Sequence, residues 1–180
     1  MADVLNRRTE RARYQNLYSL HDDYICKGRR LPETLKAIGD LPRGSYLDVG
    51  CGTRQMLVYA KSMGFGPVVG IDHACKQADL IGSATDLPFK DNSFDVVVML
   101  DVLEHLVPGD EVNALSEVRR VARNHVLVSA NNNKSVWDGF DLHINKRPYD
   151  VWDSLVKRFV YPRAYRVALE STSPMWRADF

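Results

Sequence analysis

Apolar residues along this chain follow two periodicities. Within residues 2–27, Tyr14, Leu17, Tyr18, His21, Tyr24 and Ile25 recur at three- and four-residue spacing, the stripe of an amphipathic helix or helix pair. Pro32 to Asp40 predicts a second short helix, with proline tolerated in its first turn. Short apolar runs then alternate with helical stretches. Tyr46-Leu47 with Val49, Val68 to Asp72, Ala78 to Ser83, Phe94 to Leu100 and His125 to Ala130 predict strands. Gln55 to Ser62 and the face formed by Val112, Leu115, Val118, Val121 and Ala122 within residues 108–123 predict helices. Trp137 to Pro148 is polar, aromatic and irregular, Asp150 to Phe159 reads as a helix, and Tyr161 to Glu170 and Met175 to Phe180 read as the last strands. Strands alternating with helices imply an α/β fold with a mostly parallel sheet.

The sharpest local feature is Tyr46 to Gln55, a strand, a glycine turn and a helix start. Without Cβ atoms at Gly50 and Gly52 a ligand can approach the backbone closely, and the following helix points its free N–H groups at the same place. Asp72 ends the next strand, 20 residues after Gly52. A carboxylate there faces the same crevice, and its two oxygens can accept both hydroxyls of a ribose; the structural alternative is a capping aspartate.

With 180 residues, 45% hydrophobic and 26% charged, the chain has the size and composition of one ordinary globular domain. No apolar run approaches the roughly 20 residues that span a bilayer, and a cytoplasmic location with no membrane association is expected. Cys26, Cys51 and Cys75 lack the spacing of a disulfide framework or zinc knuckle. The net charge of +1 is uneven: residues 1–30 carry seven Lys/Arg against four Asp/Glu, residues 146–166 six against two, and residues 31–145 ten against fifteen. This describes either a solvated surface or a basic rim that attracts an anionic substrate.

A dinucleotide fingerprint would continue with Gly or Ala at position 55, where Gln55 stands, so NAD binding is disfavoured. The order Asp48-x-Gly50-x-Gly52 resembles the first motif of the class I S-adenosylmethionine (SAM) methyltransferases, and an aspartate beside the turn suits that cofactor's cationic amino-acid end. The segment Gly82 to His105, with Leu87-Pro-Phe, Phe94-Asp-Val-Val and Asp101-Val-Leu-Glu-His105, is similar to the methyltransferase-11 type, and the resemblance runs from about Tyr46 to Val128. It implies a single Rossmann-like three-layer α/β domain with a seven-stranded, mostly parallel sheet and an N-terminal helical lid, divided as a cap over residues 1–43 and a SAM-binding domain over residues 44–180. It also implies SAM contacts from Asp48, Gly50, Cys51, Gly52, Asp72, His73, Ser83, Ala84, Leu100 and Asp101. Two positions depart from the family pattern. Arg54 replaces a third glycine, its guanidinium reaching the cofactor carboxylate or facing water. Ser83 replaces an adenine-binding aspartate, and an uncharged hydroxyl accepts more weakly.

A sulfonium methyl is already activated, so transfer needs a nucleophile aligned behind it at about 3–3.5 Å. If the acceptor is a hydroxyl a base helps, and His143 and His105 are the candidates, each with a purely structural alternative. Asn131-Asn-Asn133-Lys134, at the end of a strand, meets substrate or forms a plain surface turn. Asp101, Glu104, His105 and His143 together are similar to the Mg²⁺-binding pattern of small-RNA 2′-O-methyltransferases, so a divalent metal stays open. The expected acceptor is a small molecule, with an RNA 2′-hydroxyl or a non-catalytic SAM- or partner-binding module as alternatives; a monomer or homodimer is expected.

Overall fold

A computed structural model of the chain describes residues 6–20, 31–167 and 173–180. Its strands are β1 (Tyr46–Val49), β2 (Val68–Asp72), β3 (Leu80–Ile81), β4 (Phe94–Met99), β5 (Ala122–Ser129), β6 (Val136–Trp137), β7 (Phe140–Asp141), β8 (Tyr165–Arg166) and β9 (Met175–Asp179). Among the described residues seven of them form one sheet in the order β3-β2-β1-β4-β5-β9-β8, and β6 and β7 pair as a separate hairpin. The first five strands of that order are parallel, and β9 runs antiparallel to both of its neighbours. The chain steps outward from β1 to β2 and β3, then returns past β1 to β4. That reversal opens a crevice above the carboxyl ends of β1 and β4, where sheets of this kind bind ligands.

Period-two alternation builds three layers. In β4, Val97 and Met99 face the cluster that contains Leu115 and Val118 of α4 (Asp110–Val121) and Trp152 and Val156 of α5 (Tyr149–Phe159). Val96 and Val98 face the opposite cluster, with Ile38 of α2 (Leu31–Gly39) and Met56, Leu57 and Ala60 of α3 (Gln55–Ser62). Both faces of the central strands are buried, which explains why β4 is apolar without a break from Val96 to Met99.

The helix α1 (Arg7–Leu20) lies across the carboxyl end of the sheet. Tyr14 and Leu17 pack with Ala74 and Leu142, with Tyr18 and Trp137 alongside, each large apolar side chain contributing about 1.5–3 kcal/mol. Arg7 pairs with Asp110 and Arg13 stacks 4.5 Å over the Phe140 ring. His21, Tyr24 and Ile25 of the anticipated stripe, and Cys26, lie outside the described residues, as do residues 168–170 of an anticipated last strand. Several boundaries differ from expectation, among them the strand read over Tyr161 to Glu170, whose described part is strand only at Tyr165–Arg166. The strand predicted over residues 78–83 contracts to Leu80–Ile81 at the sheet edge, where both side chains are exposed. α4 stops at Val121 and β5 begins at Ala122, so the helix enters the strand with no intervening loop. Asp138 and Gly139, with φ of 48° and 78°, turn the β6–β7 hairpin within a stretch read as irregular.

Candidate functional site

The crevice floor is the β1–α3 turn. Gly50 and Gly52 have φ of 75° and 51°, and a Cβ at Gly50 would stand 2.5 Å from Val102 Cγ2. Position 50 therefore requires glycine on two grounds, left-handed backbone and close approach. Gly50 and Cys51 donate their N–H groups to Ile71 O at 2.7 and 3.1 Å, tying the turn to the end of β2. Arg54 is also left-handed, φ 67°, which accounts for the family's glycine there. Its guanidinium neither reaches the crevice nor faces water unpaired: it pairs with Asp79 and donates to Gln77 O at 3.2 Å. Asp79 in turn accepts from Gly70 N at 2.8 Å, so the pair fastens the turn to the short β2–β3 connection.

Asp72 is 4% exposed at the end of β2. Its Oδ2 accepts from Gly52 N at 3.0 Å, and its Oδ1 accepts from Ala74 N and Cys75 N at 2.8 and 2.9 Å. The capping role is thus present. A carboxylate has about four lone-pair sites, which leaves Oδ2 acceptor capacity toward the crevice.

Two cavities meet at Gly50, Asp72, His73, Val102 and His105. One, of about 70 Å³, is walled by Tyr14, Tyr18, Cys51, Gly52, Thr53, Gln55 and Asp101. The other, of about 330 Å³, has apolar walls from Val49, Ile71, Ile81, Ala84 and Leu106, polar groups from Ser83, Thr85 and Asp86, and Arg7, Glu10, Arg11 and Asp110 at α1 and α4. Of the residues singled out from sequence, Gly50, Cys51, Gly52, Asp72, His73, Ser83, Ala84, Asp101 and His105 line this paired cavity. Asp48, fully buried under the turn, does not, and neither does Leu100, whose side chain packs in the core. His143 is buried behind His105, and Asn131 to Lys134 lie outside the walls. Val102, Leu106 and Ile81 were not anticipated; apolar wall residues carry no motif of their own. Ser83 Oγ sits 2.8 Å from Thr85 Oγ1 and accepts from Thr85 N at 3.2 Å.

Asp101 holds φ 52° at the end of β4. Its N–H donates to Ser129 Oγ at 2.9 Å, and that hydroxyl donates back to Asp101 Oδ1 at 2.7 Å. A left-handed aspartate costs about 1–3 kcal/mol, so the β5 serine is the group that keeps this carboxylate in the wall.

Above it stands a cluster of rings. Tyr14 meets His73 edge-on at 5.0 Å and His105 at 5.6 Å, and His105 meets His143 at 4.6 Å. His105 Nδ1 lies 2.6 Å from the Tyr14 hydroxyl and 2.9 Å from Leu142 O; the carbonyl can only accept, which favours a proton on Nδ1. Burial, with the His143 imidazole adding to it, pushes His105 down to about 3. Burial also lowers His73 and His143. All three rings are neutral at pH 7. Asn145 locks this region: its N–H donates to Glu104 O at 3.0 Å, and its amide donates to Leu103 O and to Glu111 Oε2 at 3.2 and 3.1 Å.

Residues 47–129 match the sequence model of the methyltransferase domain family. The crevice is built on that segment, so the part of the chain that lines it is similar to methyltransferase domains of the methyltransferase-11 type. Among curated relatives it is 37% identical over 99 residues to demethylmenaquinone methyltransferase of Mycobacterium sp. (strain JLS), covering 51% of this chain and 42% of that protein. The chain spans 38–46% of the length of the curated relatives it matches. The fold is that of the Pyrococcus horikoshii protein PH0226, at a TM-score of 0.70 and 19% identity over 93% of this chain and 98% of that one. It is also that of Burkholderia thailandensis 1,6-didemethyltoxoflavin-N1-methyltransferase, solved with 1,6-didemethyltoxoflavin and S-adenosylhomocysteine, at a TM-score of 0.69 and 15% identity over 99% and 92% of the two chains. No helix among the described residues is long and apolar enough to cross a membrane.

Proposed function

We propose that this chain binds SAM in the paired cavity and transfers its methyl group by in-line displacement to a small-molecule acceptor. The observation that carries the reading is the junction at Gly50 and Asp72, where a left-handed glycine turn that lines both cavities meets a fastened carboxylate. SAM, when bound, supplies an activated sulfonium methyl. The chain's own residues then have to bind, orient and exclude water. The Gly50-Cys51-Gly52 backbone takes the amino-acid end, with Asp48 buried below it and Asp101 beside it. Asp72, next to His73, takes the ribose hydroxyls. The larger cavity, apolar with Ser83 and Ala84 at one edge, suits an adenine ring. Neutral His105, in the wall of both lobes, is placed to accept a hydrogen bond from an acceptor O–H or N–H, with His143 supporting its ring from behind. Tyr14 and Tyr18 on α1 cover the smaller lobe and exclude water.

The demethylmenaquinone and didemethyltoxoflavin enzymes are small-molecule methyltransferases by name, which supports that acceptor class. The test is label transfer from methyl-labelled SAM into a small-molecule extract and into total RNA, run side by side. Label in a low-molecular-weight product is expected. Label in RNA alone would replace the acceptor class, and SAM binding without transfer to either would leave a cofactor-binding module.

A further inference from the structure

Arg7, Glu10, Arg11, Tyr14 and Tyr18 of α1 line the crevice, at the three- and four-residue spacing of one helical face. Most of the charges in this wall are matched. Arg7 donates to both carboxylate oxygens of Asp110 at 2.6 and 2.5 Å, and Arg13 pairs with Glu10. Asp72 is held by three backbone N–H groups. Arg11 differs: its guanidinium lines the larger cavity, and among the described residues no carboxylate pairs with it. Asp86, on the opposite edge beside Ser83, lines the same cavity without reaching it. The Arg11 charge is nonetheless felt where the two lobes meet. His73, in the wall of both, is lowered first by burial and also by the Arg11 cation, against the opposing Asp72 carboxylate. A bound sulfonium brings a second positive charge to this junction, where the imidazoles are neutral. Two cations with no counter-ion between them favour an anion there.

We propose that Arg11 determines acceptor specificity and that the acceptor is an aromatic carboxylic acid, with its carboxylate on Arg11 and its O–H or N–H at His105. The inference rests on the methyl-transfer reading and narrows its acceptor. A single guanidinium offers a planar fork that matches a carboxylate bidentately. A phosphate dianion calls for more donors, and the neighbouring Arg7 is committed to Asp110. Between Arg11 and His105 the walls are rings and apolar groups, from Tyr14, His73, Val102 and Leu106, which suit a flat body. Arg11 and Tyr14 are three residues apart, about 4.5 Å along the helix axis, and the Tyr14 hydroxyl lies 2.6 Å from His105 Nδ1. Anchor and reactive end are thus on the order of one ring apart. Adenine set against Ser83 and Ala84 leaves this α1 side of the larger cavity to the acceptor.

The test titrates the full chain, with and without S-adenosylhomocysteine, with benzoate and with benzamide, a neutral molecule of the same shape, by ligand-observed NMR. Binding of S-adenosylhomocysteine is measured separately. Arg11 stands at the exposed mouth, so benzoate should bind about fivefold more tightly than benzamide, the upper end of what an exposed ion pair supplies. Arg11→Gln, which keeps a good helix former on α1, should melt as wild type, bind S-adenosylhomocysteine equally well and lose the preference; Arg11→Lys should keep part of it. Arg8→Gln, on the same helix but outside the cavity walls, should leave the preference intact. No saturable benzoate binding, equal binding of the two probes, or a preference that survives Arg11→Gln would each overturn the assignment. A preference lost equally in Arg8→Gln would also overturn it, reducing it to general attraction by a basic helix. S-adenosylhomocysteine binding without the preference would sink this inference alone. The preference without S-adenosylhomocysteine binding would sink the methyl-transfer reading and leave an anion site at Arg11.

Discussion

Replacing Asp72 with Asn separates the two roles this residue holds. The side chain keeps its shape, and its amide oxygen can stay with the Ala74 and Cys75 N–H groups at 2.8 and 2.9 Å. The amide NH₂ then faces Gly52 N, which donates at 3.0 Å to the carboxylate, so one buried donor loses its acceptor. That costs about 1–3 kcal/mol of stability, which for a chain of this length lowers Tm by roughly 2–12 °C. Toward the ligand, an acceptor for ribose hydroxyls becomes a donor. Losing a hydrogen bond to a charged group is worth about 1.5–3 kcal/mol, or roughly 10- to 150-fold in SAM affinity. Calorimetric titration of SAM and S-adenosylhomocysteine into wild type and Asp72→Asn, with a thermal melt of each, measures both. A lowered Tm with unchanged affinity would refute the ribose assignment and leave Asp72 as a capping residue alone.

Two other perturbations test the surroundings. Arg54→Gly relieves about 1–2 kcal/mol of left-handed strain but loses a half-exposed ion pair worth about 0.2–1 kcal/mol and adds unfolded-state entropy of about 0.5–1 kcal/mol, so Tm should stay within a few degrees. SAM affinity should be unchanged, because the guanidinium points to Asp79; a tenfold loss would put it on the cofactor. The Arg120 guanidinium and the Leu87 N–H hold the Glu117 carboxyl below its usual value of 4.5, against the opposing effect of burial. A lowered folded-state value means this stability is present above that usual value and lost as pH falls through the folded one. Thermal melts of Glu117→Gln should therefore show a lower Tm at neutral pH and a shallower acid decline than wild type; parallel curves would contradict the pairing.

What the sequence could and could not disclose follows from the range of the forces involved. The β1–α3 turn and Asp72 were legible because local backbone demands glycine at Gly50, whose φ is 75°, and because an acid ending the second strand has to face the same crevice. The layers were legible because the Val96 to Met99 run of β4 is apolar on both faces, as a strand covered by helices on each side requires. Arg54 was not, since its partner Asp79 is 25 residues away and no local rule pairs them. The α4–β5 boundary was blurred because no Gly or Pro stands between Val121 and Ala122. The hairpin signal, Asp138-Gly139, was present, but its strands are two residues each, too short to show alternation. Asp48 and Leu100 matched a motif whose side chains point into the interior. Val102 entered the wall because Gly50 leaves room for it.

The central claim is that the crevice between Gly50 and Asp72 is a SAM site, and calorimetric titration of the wild-type chain with S-adenosylhomocysteine, alongside NAD, tests it most directly. Saturable one-to-one binding of S-adenosylhomocysteine with no heat from NAD is the predicted result. No binding of S-adenosylhomocysteine at millimolar concentration, or tighter binding of NAD, would contradict the account.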